Sequence, residues 1–180
     1  MILFADTNIL LDLNKIQLLR EFMNLRYEVC IEESIFEDEL LEPKEIQSQL
    51  LQYGLQCIAM SDEEFSLARK VYDENPKLSF YDSVAYAVAK RRGWDLLTGD
   101  KRLRRYAEQH GIQVYGLLWT MRACEKNEVD RLAILRALNK IFIDHRIRVP
   151  DNSVIAMGIS ILLRYYRSEK RVTDYYVAIN

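Results

Sequence analysis

Five short apolar runs alternate with longer segments of helical periodicity over the first two-thirds of the chain. The runs cover residues 2–5, 27–31, 55–59, 95–98 and 112–115, and the helical segments lie near residues 9–24, 33–52, 62–73, 80–92 and 101–109. Short strands that are separated by helices form βαβ units, in which helices cover both faces of a parallel sheet. The sequence therefore predicts an α/β fold with a central parallel sheet of about five strands.

Three glycines support the same division into elements. Each falls between a helical segment and the next apolar run: Gly54, Gly93 and Gly111. Glycine is the common residue just beyond the last turn of a helix, because it adopts the left-handed conformation without a steric penalty. We therefore expect three of the helices to end at these positions.

The last third of the chain, from about Trp119, has no strand signal until its final residues. Apolar side chains recur there at helical spacing, at Leu132, Leu135, Leu138 and Phe142. A break with capping residues at 150–153 then precedes a second helix through Arg171, and residues 172–180 are either a strand or a frayed end. We expect a domain of residues 1–119 and a helical extension of residues 120–180 that packs on this domain or on a partner.

Composition limits the class of protein and its setting. The chain has 180 residues, enough for one domain with a real core, and none of its apolar stretches is long enough to span a bilayer. Its start lacks the basic region of a signal peptide, and its three scattered cysteines indicate reduced thiols. We expect a cytoplasmic protein without a membrane partner. The net charge of −2 decides nothing about nucleic acid, because basic segments at 90–92, 101–105 and 164–171 offset an acidic one at 32–45.

Acidic residues stand at the ends of the predicted elements. Asp6 ends the first run, Asp100 follows the fourth, Asp82 opens a helical segment, and residues 37–39 are Glu-Asp-Glu after the second run. Ligands of open parallel sheets bind outside the carboxyl ends of the strands, so these acids are expected to meet in one crevice. Carboxylates suit Mg²⁺ or Mn²⁺, and no set of His and Cys suggests zinc. Neutral oxygens are added by Thr7, Asn8 and Thr98.

Each acid taken alone also has a purely structural interpretation. Asp6 and Asp82 could cap helices, and Asp100 could begin a turn. The convergence of all of them on one edge of the sheet favours a functional site instead.

The motifs that carry these acids resemble those of the PIN domain, a metal-dependent nuclease fold found in VapC-type toxins. The resemblance covers roughly residues 1–119 and rests on Asp6-Thr7-Asn8, on the segment from Leu78 through Asp82 to Ala89, and on Thr98-Gly99-Asp100. It implies a three-layer α/β/α fold and metal-binding roles for Asp6, Asp82 and Asp100. It also implies a further acid on the helix after the second strand. Spacing from Ile31 selects Asp38 for this role, whereas the hydrophobic pattern favours Glu39, ahead of Glu37.

The function implied is a Mg²⁺- or Mn²⁺-dependent endoribonuclease, the toxin of a toxin–antitoxin pair. Its expected partners are RNA, a protein antitoxin and a second copy of the chain. Asp6, Glu39, Asp82 and Asp100 would form the catalytic site, and basic side chains after the fourth run would guide RNA phosphates: Arg102, Arg104 and Arg105.

Other functions remain open at the level of sequence. A PIN-like chain can serve as a non-catalytic interaction module, or as an RNA-processing nuclease outside toxin–antitoxin systems. A phosphotransfer receiver would need a lysine suitably placed after a late strand and a different distribution of acids. A two-carboxylate glycosidase would need a cleft rich in aromatic side chains near the acids. Metal-dependent cleavage of RNA discriminates between the enzyme and the interaction module.

Overall fold

A computed structural model describes residues 1–40, 44–144, 147, 149, 154–161 and 164. Its centre is a five-stranded parallel sheet, which confirms the prediction, with strand order β3-β2-β1-β4-β5. The strands are β1 (Ile2–Ala5), β2 (Glu28–Glu32), β3 (Gln56–Ile58), β4 (Asp95–Leu97) and β5 (Val114–Tyr115). The chain builds outwards from β1 to β3 and then returns to the other side of β1 for β4. Strand order therefore reverses between β1 and β4, which is where a parallel sheet opens a crevice.

Helices cover both faces of the sheet and give a three-layer α/β/α arrangement. They are α1 (Thr7–Lys15), α2 (Leu19–Met23), α3 (Glu33–Glu39), α4 (Lys44–Gln52), α5 (Asp62–Glu74), α6 (Phe80–Arg92), α7 (Lys101–Gln109), α8 (Leu117–Lys126) and α9 (Arg131–Ile143). Residues 154–161 are also helical. No helix in the described part of the chain is long and apolar enough to cross a membrane.

Two predicted helical segments are each divided into two helices. Residues 9–24 contain α1 and α2, and the break is at Gln17, which has a φ of 60°. Its neighbour Leu18 donates its N–H to the Leu13 carbonyl at 3.0 Å, which closes α1 with a Schellman motif. Residues 33–52 contain α3, which ends at Glu39, and α4, which begins at Lys44.

The core is centred on β1 and α6. Leu3, Phe4 and Ala5 of β1 are fully buried, as expected for the middle strand of a sheet covered on both faces. Every residue of α6 from Ser83 to Ala89 is buried, because α6 is packed between the sheet and α5. The first turn of α6 is thereby held rigidly at the crevice beside β1.

The C-terminal helices α8 and α9 pack directly onto the rest of the domain. Helix α8 packs on α1 and α2, and α9 packs on α8. The domain boundary predicted after residue 119 falls inside α8. The Arg164 guanidinium pairs with the Glu125 carboxylate at 3.0 Å and ties the helical residues after 154 to α8. Half of the second predicted C-terminal helix (162–163 and 165–171), the predicted break at 150–153 and the whole predicted end segment at 172–180 lie outside the described residues.

Candidate metal centre

A cavity of about 140 Å³ lies at the carboxyl edge of the sheet, where the strand order reverses. Four acidic side chains from separate parts of the chain line it: Asp6, Glu39, Asp82 and Asp100. Asn8, Ser79 and Tyr81 add polar groups to its wall, and Ile35, Ala85 and Leu103 form the apolar part. The structure therefore brings the acids predicted at element ends to one place.

Asp6 occupies the junction between β1 and α1. Its backbone N–H donates to the Leu97 carbonyl at 2.9 Å, which fixes it beside the end of β4. One carboxylate oxygen caps α1 by accepting the Asn8 N–H at 3.3 Å, and the other accepts the Thr98 hydroxyl at 2.8 Å. Burial raises the pKa of Asp6 from 3.8 to about 6, against the lowering effect of these two hydrogen bonds, and the negative charges of Asp82 and Glu39 add to the increase.

The Thr98 hydroxyl connects Asp6 to Asp100. It donates to Asp6 and accepts the backbone N–H of Asp100 at 2.9 Å, and Thr98 is fully buried. The Asp100 carboxylate caps α7 through the N–H groups of Arg102 and Leu103, at 2.7 and 2.9 Å. A single side chain after β4 therefore sets the positions of two acids relative to each other.

Asp82 lies in the first turn of α6 and belongs to a capping box. Its backbone N–H donates to the Ser79 hydroxyl at 3.0 Å, and its carboxylate Oδ2 accepts the Ser79 N–H at 2.8 Å. The positive end of the helix dipole favours a negative charge at this position. The rigid packing of α6 and the cap together fix where this carboxylate stands.

The acid on α3 that lines the cavity is Glu39. It accepts the hydroxyl of buried Thr7 at 2.6 Å, which joins the end of α3 to the start of α1. Asp38 accepts the Tyr81 hydroxyl at 2.6 Å and is not part of the cavity wall. This hydrogen bond raises the pKa of Tyr81 to about 12. Glu37 is exposed and is likewise not part of the wall.

The donor set suits a hard divalent cation. Four carboxylates, with the amide of Asn8 and the hydroxyl of Ser79 nearby, offer oxygen ligands of the kind that Mg²⁺ and Mn²⁺ prefer. In the described residues, no three acidic, His or Cys side chains converge closely enough to hold an ion in their present positions. Hydrogen bonds from backbone N–H groups and hydroxyls hold the carboxylates in these positions. The oxygen ligands therefore fit a divalent metal, and hydrogen-bond donors of the protein hold these side chains in place.

A further acid at the end of a strand was not singled out from the sequence. Glu32 ends β2, is buried, and caps α3 by accepting the N–H groups of Ser34 and Ile35, at 2.9 and 3.2 Å. It occupies the same kind of position as Asp6 and Asp100, yet it does not line the cavity. Its position directly before a helical segment is the only signal that sequence could have offered, and that signal indicates a cap.

The three arginines predicted to contact RNA lie in different environments. Arg102 and Arg105 are exposed on α7. The Arg104 guanidinium is turned inwards, where it donates to the carbonyls of Thr98 and Val114, both at 3.2 Å. It also pairs with Glu108 of its own helix at 3.3 Å. Arg104 therefore supports the ends of β4 and β5, whereas Arg102 and Arg105 present their guanidinium groups at the surface.

Comparison with known proteins gives one match that spans most of the chain. The model of the family DUF3368, described as a PIN domain, matches residues 2–157. It therefore extends beyond α9, past the region over which the sequence motifs lie. No curated protein matches the chain.

Several solved structures are similar. A PilT N-terminus domain protein from Sulfolobus solfataricus P2 is 16% identical with a TM-score of 0.47, over 69% of this chain and 93% of that one. A chain of VapBC2 from Rickettsia felis, solved with a DNA fragment from its promoter, is 15% identical with a TM-score of 0.44, over 64% of this chain and 98% of that one. A domain of a protein of unknown function from Methanocaldococcus jannaschii is 16% identical with a TM-score of 0.44, over 64% of this chain and 90% of that one.

Proposed function

Because this chain belongs to the PIN domain family DUF3368, we propose that it is a metal-dependent nuclease that hydrolyses RNA phosphodiester bonds in the acidic cavity. Proteins of this family are generally nucleases, and the membership confirms the resemblance inferred from the motifs. The observation that carries the proposal is the meeting of four acids from four separate elements in one cavity. Clustered carboxylates repel one another, and a bound cation removes this cost.

The proposed roles follow from how each side chain is held. Asp6 and Asp100 are the direct metal ligands, since Thr98 fixes them relative to each other. Asp82 and Glu39 complete the ligand set or orient water by hydrogen bonds. Mg²⁺ or Mn²⁺ supplies the Lewis acidity that polarises the phosphate and lowers the pKa of the attacking water. Thr7 and Ser79 keep Glu39 and Asp82 aimed at the cavity.

Cleavage of a structured RNA pool by the purified protein tests this proposal. We expect cleavage with Mg²⁺ or Mn²⁺, none with chelator, and a loss of at least about a hundredfold in Asp82→Asn, in which one carboxylate of the site becomes an amide. The matched control is Asp38→Asn, which removes a neighbouring carboxylate outside the cavity wall and is expected to retain most of the activity.

Two results would contradict the proposal. Cleavage that survives Asp82→Asn would come from another site or from a contaminant. Failure of the wild-type protein to bind Mn²⁺, measured by calorimetry, would favour the non-catalytic interaction module. Asn at position 82 can still accept the Ser79 N–H through its amide oxygen, so the capping interaction and the fold are expected to survive the substitution.

The biological setting proposed is a toxin–antitoxin pair acting in the cytoplasm, with a protein antitoxin that blocks the acidic cavity and a homodimeric toxin. It is supported by the resemblance of the motifs to VapC-type PIN domains. Induced expression of the wild-type chain is then expected to arrest bacterial growth, whereas the Asp82→Asn chain is not. An RNA-processing nuclease outside such systems would leave growth intact and change the lengths of particular cellular RNAs instead.

A further inference from the structure

A row of aromatic rings, two exposed and one half-buried, runs along α5 and the start of α6. Phe65 and Tyr72 lie seven residues apart on the same face of α5, with 49% and 40% of their surfaces exposed. The Phe80 ring stands between them, with its centroid 6.2 Å from Phe65 and 5.8 Å from Tyr72, both in edge-on geometry. We call Phe65, Tyr72 and Phe80 the aromatic ridge.

The ridge borders the face by which α5 packs inwards. Glu64, Ala68 and Val71 of α5 are buried, and Phe65 and Tyr72 each lie one helical turn from Ala68 and contact the Phe80 ring. The exposed fractions of 49% for Phe65 and 40% for Tyr72 nevertheless leave aromatic surface in water, which is unfavourable. Three aromatic side chains grouped at one place on the surface therefore point to a ligand.

The ridge is continuous with the acidic cavity. Phe80 contacts the Tyr81 ring, at a centroid separation of 6.3 Å, and Tyr81 is part of the cavity wall. A strand whose phosphodiester bond reaches Asp82 and Asp100 would thus pass directly onto the aromatic rings. The cavity and the ridge form one surface, with the Phe80-Tyr81 pair at its middle.

Two cations accompany this surface. Lys77 immediately precedes the segment that carries Ser79 and Phe80, and Arg102 follows the cavity acid Asp100. The Arg102 guanidinium donates to the Lys77 carbonyl at 3.4 Å, so the two residues are neighbours. Within the described residues neither side chain has a carboxylate partner. Both cations therefore lie close to a cavity acid, where they can contact phosphates of a bound strand.

Charges on the ridge itself are largely compensated. Arg69 lies between Phe65 and Tyr72 on α5 and pairs with Asp73 at 3.3 Å, and Lys70 pairs with Glu74 at 4.0 Å. The rings are therefore the chemically distinctive groups on this face. Single-stranded nucleic acid binds surfaces of this kind, because its bases stack on flat aromatic rings while its phosphates contact the adjacent cations.

We propose that the aromatic ridge stacks the unpaired bases of the RNA next to the bond that is cut, with Lys77 and Arg102 holding the adjoining phosphates. The inference rests on the proposed nuclease function for the identity of the ligand. It adds a binding surface on α5, and it makes that surface selective for unpaired strands, because paired bases cannot stack on protein rings.

Binding can be measured apart from cleavage. The probe is a fluorescein-labelled oligoribonucleotide, either single-stranded or annealed to its complement, titrated with full-length protein in chelator and followed by anisotropy. Phe65→Ala and Tyr72→Ala are each expected to weaken single-strand binding about tenfold, and to leave duplex binding and the salt dependence unchanged. Lys77→Ala is expected to weaken binding of both probes and to reduce the salt dependence of their affinity. Phe142→Ala, which removes an exposed ring of α9 far along the chain, is the matched control and should change neither.

The outcomes separate this inference from the proposed function. Unchanged single-strand affinity in the Phe65→Ala/Tyr72→Ala double variant overturns the ridge, even if metal-dependent cleavage is found. Weaker single-strand binding by the double variant, together with no cleavage by the wild type, would support the ridge as an RNA-binding surface and contradict the proposed nuclease function. A dimer that the double variant dissociates, with RNA affinity unchanged, would show a protein interface and also overturn the proposal. Both rings are exposed, so the variants are expected to unfold at the wild-type temperature, which is checked first.

Discussion

Asp6 links the ionisation of the cavity to the stability of the fold. Its pKa is about 6 in the folded chain, compared with 3.8 ordinarily, because burial and neighbouring carboxylates disfavour its charge. Between these pH values the folded state binds the extra proton, so stability falls as the pH rises from about 4 to about 6 and stays lower above it. A pKa difference of this size corresponds to at most about 3 kcal/mol.

Asp6→Asn is therefore expected to stabilise the protein while it abolishes cleavage. Without metal, its free energy of unfolding at pH 7.5 should rise by about 1–3 kcal/mol, and at pH 4 it should change little. Urea titrations in chelator over a pH series measure this difference. Asp73→Asn on the surface of α5 is the control, with an expected change below about 0.5 kcal/mol at either pH. Equal effects of Asp6→Asn at pH 4 and pH 7.5 would show that its charge is not the cause.

Sequence reasoning at the residue scale placed the acids but not their orientation. Asp6, Asp82 and Asp100 could be predicted because each follows a strand or opens a helix, and such positions share one edge of a parallel sheet. Two local signals disagreed over Asp38 and Glu39, since spacing selected Asp38 and the hydrophobic pattern favoured Glu39. The contact of Glu39 with Thr7, which joins α3 to the start of α1, is long-range and places Glu39 at the cavity. Arg104 has the same charge as the exposed Arg102 and Arg105 on the same helix. Only its hydrogen bonds to the carbonyls at the ends of β4 and β5 distinguish it by turning its guanidinium inwards.

At the scale of the elements, the helix ends show which features of the fold a local sequence signal predicts and which it misses. The three glycines predicted to end helices all have positive φ, at Gly54, Gly93 and Gly111, which confirms that prediction. Helices α1 and α8 end in the same way at Gln17 and Glu128, both with a φ of 60°. No glycine marked these two ends, so the α1–α2 break could not be seen. Buried leucines on either side of Gln17, at positions 13 and 18, impose the turn against the preference of the residue.

Gln17→Gly is consequently expected to stabilise the protein. Glycine adopts the left-handed conformation without the penalty that Gln carries, so the free energy of unfolding should rise by about 0.5–1 kcal/mol. The reciprocal change, Gly93→Ala, should lower it by about 1 kcal/mol, since nothing obstructs the added methyl group and only the backbone opposes it. Urea denaturation of the two variants beside the wild type measures both effects. Destabilisation by Gln17→Gly would mean that side-chain contacts of Gln17 outweigh its backbone strain.

At the scale of the whole molecule, the question is which residues fold together as one cooperative unit. Short strands separated by helices established the parallel sheet from sequence, but the order β3-β2-β1-β4-β5 arises from long-range packing that periodicity does not report. The same is true of α8. Its Met121 and Cys124 are fully buried and the helix packs on α1 and α2, although the segment carries no motif of the site. The predicted boundary at residue 119 followed the end of the motifs, whereas the family match continues to residue 157.

A chain that ends at Gly116 is accordingly expected to lose cooperative folding. Truncation there removes α8 and exposes the apolar surfaces of α1 and α2 on which it packs, including fully buried Phe22, whose ring contacts that of Trp119. Burial of a single large apolar side chain contributes about 1.5–3 kcal/mol, and several would be lost together from a domain whose total stability is about 5–15 kcal/mol. A chain that ends at residue 144 keeps α8 and α9 and serves as the comparison, with a sharp unfolding transition expected at a lower midpoint than in the full chain. Thermal unfolding followed by circular dichroism distinguishes the two. A sharp transition in the chain that ends at Gly116, at the midpoint of the full protein, would establish residues 1–116 as an independent domain and the helices after them as a separate extension.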